Sequence, residues 1–146
     1  MNSILNQFCI FFFESVKAGG WPPLIVFIIH VIASKIFDAY NHFPALDIPM
    51  HFIGGMVICY LFWKSFTTSY ADIFLGKHTK ISLFLFLVAA TGTTTVLWEF
   101  SEWLNDTYFN GDAQVSVRDT MGDMFLGLSG GFVVSSYAAI KHKSNI

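Results

Sequence analysis

Charge is what this sequence has least of. Only 12% of its 146 residues are charged, about half the share of roughly 25% usual in a soluble domain. The formal net charge is -2 and no block of like charges occurs. An acidic tail and a basic nucleic-acid face are therefore excluded, and no nucleic-acid partner is expected. Cysteine is nearly absent too. Cys9 and Cys59 lie in separate apolar stretches without CxxC spacing, which argues against a disulfide framework or zinc knuckle and reads them as small hydrophobes. HExxH and P-loop patterns are missing, as is a reactive-cysteine signature, so those chemistries have no foothold. The first twenty residues lack the basic region of a signal peptide.

Apolar residues fill the space that charge leaves. Hydrophobic side chains make up 54% of the chain, aromatic ones 18%, with seventeen phenylalanines and a mean hydropathy of +0.57. This is the composition of a membrane protein. Four runs have the length of transmembrane helices, at about 22–38, 48–70, 81–104 and 119–140. The apolar patch Phe8 to Phe13 is too short to cross roughly 30 Å of hydrocarbon and is followed by Glu14 and Lys17. It is expected to form a short interfacial or bundle-packed helix, broken from the first span at "GGWPP". No repeat, low-complexity tract or soluble linker separates the runs. The expected fold is a single all-α membrane domain, a bundle of four transmembrane helices preceded by that N-terminal helix.

Lysine placement orients it. With the N-terminus inside, Lys17, Lys64, Lys77, Lys80, Lys141 and Lys143 all fall on the cytoplasmic side. The opposite side carries Asp38, Asp47, Asp106 and Asp112, with Arg118 and Lys35 as the basic exceptions. A multi-pass protein of the inner membrane with both termini cytoplasmic is expected.

Three pairs of ionisable residues interrupt the spans. Asp47 and His51 are four apart, Glu99 and Glu102 three apart, Asp119 and Asp123 four apart. Each pair shares one helix face. Pro49 suits the first turn of its helix, where a missing N–H loses no bond. At about 1.5 Å per residue, His51 lies about 28 Å from Tyr70, Glu99 about 28 Å from Lys80 and Asp123 about 27 Å from Lys141. All three pairs thus sit at one depth, near the extracytoplasmic edge of the hydrocarbon. Gly54, Gly55, Gly122, Gly127, Gly130 and Gly131 would let the helices approach closely. Five carboxylates in one apolar setting repel one another unless protonated or compensated by a cation. Carboxylates with one imidazole suit a hard or borderline divalent ion, Mg2+, Mn2+, Zn2+ or Fe2+. The expected metal ligands are Asp47, His51, Glu99, Glu102, Asp119 and Asp123, with Glu99, Glu102 and His51 as catalytic groups.

Plainer roles compete at single positions. Asp119 would serve as an N-cap with Asp123 as its second-turn partner, and Glu102 could face headgroups. His30, alone in the first span, reads as a hydrogen-bonded interior residue or a cavity lining rather than a ligand. Lys35 and Arg118 could hold an anionic headgroup or simply snorkel. Asn105, Asp106 and Asp112 read as solvated turn residues. Trp21, Trp63, Trp98 and Trp103 match an aromatic belt. The "TGTTT" run at 91–95 reads as hydroxyls bonding between helices or back to carbonyls one turn earlier.

The stretches "LDIPMHFIGG", "WEFSEWLND" and "VRDTMGDMFLGLSGG" resemble the YjdF-like family of small bacterial inner-membrane proteins, and more distantly VanZ-like proteins. The resemblance runs over roughly residues 45–131. Its pattern is an Asp ahead of His-Phe, then Trp-Glu with a second acid, then Asp-Thr followed by Asp and glycines. That pattern falls on Asp47, His51, Phe52, Trp98, Glu99, Glu102, Asp119, Thr120 and Asp123. Glu102 and Gly127 depart from the VanZ-like pattern. What the resemblance implies is a polytopic envelope protein, linked for VanZ to glycopeptide-antibiotic resistance, without an established reaction.

Three functions fit these features. One is a metal-dependent reaction on a membrane lipid or envelope precursor at the outer leaflet, with Lys35 or Arg118 orienting the headgroup. A second is an ion or proton transporter or channel using the same residues, for which a homo-oligomer would supply the second access route. The third is an accessory protein in which a divalent ion staples the helices.

Overall fold

The computed structural model describes residues 3–142, and Lys143, used above for orientation, lies outside them. Among the described residues every regular element is helical. In chain order these are α1 (Ile4–Gly19), α2 (Trp21–Lys35), α3 (Ala39–His42), a 3-10 turn at Pro44–Leu46, α4 (Asp47–Ser65), α5 (Ala71–Phe74), α6 (Lys80–Phe109) and α7 (Val117–Lys141). The protein is an all-α membrane protein. Helices α4 with its preceding turn, α6 and α7 are each long and apolar enough to cross a bilayer. Helices α1 and α2 pass the same test only together, bent by 66° at Gly20. The first expected span is thus shorter than the sequence implied. At about 1.5 Å per residue, α2 is about 22 Å long, less than the roughly 30 Å of hydrocarbon.

The other boundaries move for local reasons. Helix α4 ends at Ser65 rather than near residue 70, because the hydroxyls of Thr67 and Thr68 cap the carbonyls of Lys64 and Ser65. Helix α6 begins with a capping box between Thr79 and Ser82 and runs five residues beyond the expected 104. It stops where Asn110 adopts a left-handed conformation at φ 55°. Ser116, not Asp119, caps α7, accepting the Asp119 N–H.

The α4–α7 contact is closest where glycines face each other. A Cβ on Gly55 would collide with the Gly127 backbone, and one on Gly130 with the Phe52 carbonyl. Gly127 and Gly131 receive the methyls of Thr95 and Thr91 from α6. Gly54 and Gly122 do not serve this purpose, since an added Cβ meets nothing within 4 Å at either. They lie one residue off the contact face, about 100° around the helix. The core at the end away from the ionisable pairs is small: Cys59, Leu83, Leu87 and Ala138, with Phe62, Trp63, Phe66 and Val134 packed on it. Large apolar side chains such as Ile81, Phe125 and Ile140 point outward with more than two thirds of their surface exposed. Such a face suits the hydrocarbon of a bilayer and not water.

Helix α1 packs against that same end. Phe8 and Phe11 contact the Phe74 ring of α5, Glu14 accepts hydrogen bonds from the Ser69 amide and hydroxyl, and Gly19 fits against Leu61 and Lys64. Cys9 is exposed and Cys59 buried, both free.

Candidate metal centre

His51 occupies the middle of the site. It projects from the second turn of α4, one turn beyond Asp47, so both side chains leave the same face. Pro49 lies between them in the first turn, where no carbonyl awaits its missing N–H. Nε2 of His51 is 3.3 Å from Asp47 Oδ1 and 3.9 Å from Asp123 Oδ1 on α7. Its Nδ1 is 3.8 Å from Glu99 Oε1 on α6. One imidazole therefore faces carboxylates from three helices. Two overlapping triads result, Asp47–His51–Asp123 and His51–Glu99–Glu102, within each of which one ligand atom per residue lies within 4.8 Å of the others.

Burial separates these acids from ordinary helix-end carboxylates. Glu99 is 4% exposed and Asp123 7%. Neither carboxylate oxygen of Glu99 has a hydrogen-bond partner. Glu102 does: the Trp98 indole N–H donates to its Oε1 at 2.9 Å, an i,i+4 contact on α6. Trp98 is thus more than a belt residue, and its ring also meets Phe27 and His30 edge-on. His30 pairs with the Tyr40 hydroxyl at 2.8 Å, in keeping with the interior role read from the sequence. Burial, then the charges of Asp47 and Glu102, push the Tyr40 hydroxyl up to about 12, so it stays protonated at neutral pH.

The connection between α6 and α7 folds back onto the site. The Asp106 carboxylate accepts the amides of Ala113 and Gln114 at 3.0 and 2.7 Å. Gln114 in turn donates from Nε2 to the Glu99 carbonyl at 3.1 Å. Asp106 is therefore a loop organiser and not a freely solvated turn residue. The hydroxyls of Thr93 and Thr94 bond back to Ala89 and Ala90, and Thr95 to Gly92, the alternative of bonding one turn back along the helix.

Five of the six expected ligands converge; Asp119 does not join either triad. It sits half-buried in the first turn of α7, one turn outward from Asp123. Lys35 and Arg118 lie at the same end of the bundle, exposed and without an ion pair among the described residues. Gln114 and Tyr40 escaped the sequence reading because a lone polar residue in a connection has no periodicity to mark it. The Trp98–Glu102 bond had a signal in its i,i+4 spacing.

Two cavities flank the centre. One, of about 390 Å³, runs between α2, α4 and α6 and is lined by both His30 and His51. The other, of about 530 Å³, lies on the α6–α7 side and reaches Glu99, Gln114 and Thr120.

The fold and this centre define a polytopic helical membrane protein with a buried carboxylate and imidazole cluster near one end of its spans. Residues 21–144 match the family described as Predicted membrane protein (DUF2238), and the chain belongs to that family. This accords with the YjdF-like resemblance, while the VanZ-like one has no support from the match. No curated protein and no solved structure matches the chain.

Proposed function

We propose that the cluster binds a divalent cation and that the protein uses it in a reaction on a membrane lipid or envelope precursor. The observation that carries this reading is Glu99: a carboxylate buried to 4% exposure, with no donor for either oxygen, beside His51. A buried charge in that state is costly unless a cation compensates it. Asp47, His51, Asp123, Glu99 and Glu102 offer oxygen and imidazole ligands suited to Mg2+, Mn2+, Zn2+ or Fe2+. Such an ion would supply Lewis-acid activation of a phosphoryl or carbonyl oxygen. The protein's own residues would do the rest. Trp98 holds Glu102 in place, Gln114 fixes the turn of α6 that bears Glu99, and whichever carboxylate is not coordinated is placed to accept a proton. Lys35 and Arg118, exposed at the same end and without an ion pair among the described residues, suit an anionic headgroup.

In this reading the protein sits in the inner membrane with the cluster toward the outer leaflet and both termini cytoplasmic, as the lysine distribution favours. Transport through a single chain is the weaker reading. The end away from the cluster is packed with the fully buried Cys59, Leu83, Leu87 and Ala138, and the polar side chains fully buried beside them, Thr91 and Ser135, carry no ionisable group. Metal analysis of the purified protein tests the proposal, with about one bound divalent ion per chain expected. Absence of stoichiometric metal, together with a melting temperature indifferent to chelator and to added Mg2+, Mn2+, Zn2+ or Fe2+, would overturn it.

A further inference from the structure

The 390 Å³ cavity is lined mainly by apolar side chains, with His30 and His51 at the metal centre and Thr94 and Thr95 on its α6 wall, where both threonine hydroxyls are spent on the Ala90 and Gly92 carbonyls of their own helix. Leu24 and Phe27 of α2 and Val57 and Ile58 of α4 form its walls, and His30 and His51 lie at its head. From His51 to Ile58 it follows α4 for about 10 Å at 1.5 Å per residue. Helix α2 packs on α4 but touches α6 only lightly, chiefly through Phe27 and His30 against Trp98. The gap between α2 and α6 therefore opens sideways, toward the hydrocarbon of the bilayer. Its volume falls in the ligand-pocket range of about 300–1,000 Å³, and its lower walls offer few of the two to four polar partners that an ordered water needs.

Gly54 adds an independent observation. Its neighbour Gly55 is needed for the approach of α4 to α7, but a Cβ on Gly54 would meet nothing within 4 Å. Gly54 lines the cavity, so the absent side chain widens the cavity and serves no helix contact.

We infer that this cavity seats one acyl chain of a membrane phospholipid, entering between α2 and α6 and placing its headgroup end at His30 and His51. The bilayer onto which the gap opens supplies acyl chains in bulk, and the amphiphilic grading of the cavity matches a tail below and a polar group above. The inference rests on the proposed function for what happens to the lipid, but seating of the chain is measured separately from metal binding.

The test uses the full-length protein in vesicles of phosphatidylethanolamine and phosphatidylglycerol containing phosphatidylglycerol with a diazirine on one acyl chain. Adducts are mapped by peptide mass spectrometry. Labelling at Val57 and Ile58 is expected to saturate at low probe fraction, whereas labelling at the outward-facing Leu85 of α6 rises in proportion to probe. Gly54→Leu, which fills the cavity, is expected to lower the Val57 and Ile58 adducts about tenfold, the effect of excluding roughly two methylene groups, and to leave Leu85 labelling unchanged. Proportional labelling at Val57 and Ile58 in the unsubstituted protein would overturn the inference, whatever the fate of the variant. So would unchanged labelling in a folded Gly54→Leu protein, or saturable labelling displaced by a polyprenyl phosphate in preference to unlabelled phosphatidylglycerol. Saturable labelling without bound metal would sink the metal reading alone; stoichiometric metal without saturable labelling would sink the acyl-chain site alone.

Discussion

Glu99 carries both carboxylate oxygens into the interior with no donor for either, and this single side chain separates the two parts of the site's energetics. Removing its charge should relieve the metal-free protein while abolishing the stabilisation that metal supplies. Glu99→Gln is therefore expected to melt higher than the unsubstituted protein in chelator and to lose its response to metal. For the unsubstituted protein, metal at 100 times its dissociation constant should add about 2.7 kcal/mol. Melting curves in detergent with and without metal check both halves, and a variant that still responds to metal would remove Glu99 from the centre. Trp98 acts one step away. Trp98→Phe deletes the indole donor to Glu102 and is expected to cost about 1 kcal/mol of stability and about tenfold in metal affinity. Isothermal titration of the metal reads the second effect, which a purely structural role for Trp98 would leave untouched.

At the scale of elements, the adjacent glycines of α4 have opposite surroundings. Gly55→Ala drives a methyl into the α7 backbone at Gly127 and should destabilise by about 1–3 kcal/mol, the range for overpacking a tight interface. Gly54→Ala should be nearly neutral, since its methyl enters open space. Comparing the two melting temperatures tests whether the α4–α7 contact is as close as described. The α6–α7 connection is held in a different way, by the Asp106 carboxylate on two backbone amides. Asp106→Ala should release residues 110–116 to proteolysis in detergent and cost about 1–2 kcal/mol. Helix existence was legible in the sequence because apolar length is a local property. The early stop of α4 and the late stop of α6 were less so. They depend on Thr67, Thr68 and Asn110, whose capping and left-handed geometry override the hydropathy running past them.

Among the described residues the spanning helices turn large apolar side chains outward and the carboxylate–imidazole cluster lies near one end, so orientation in the membrane sets which leaflet the cluster faces. If lysine bias governs insertion, Asp112→Cys should react with a membrane-impermeant maleimide from outside intact spheroplasts, and Lys77→Cys only after permeabilisation. The reverse pattern would move the site to the cytoplasmic leaflet. The pairing of α1 with α2 bears on the same question. Their 66° bend and the contacts of Phe8, Phe11 and Glu14 with the α5 region put α1 across the end of the bundle remote from the site. Three helices are thus long and apolar enough to cross the membrane and α2 is so only together with α1, where the sequence offered four runs of spanning length.

By itself the sequence determined a helical membrane protein and set Asp47 with His51, Glu99 with Glu102, and Asp119 with Asp123 on shared faces at matched depth. It could do so because helical rise and period are local quantities, fixed by position along one chain. Only the tertiary structure decided which of those faces meet. It turned His51 toward Asp123 and Glu99, left Asp119 a turn outside, and brought Gln114 and Trp98 in as supports. It also distinguished Gly55, pressed against α7, from Gly54, open to a cavity. Those outcomes depend on the rotation of one helix against another, which is set by small-residue contacts between segments far apart in the chain and has no counterpart in local periodicity.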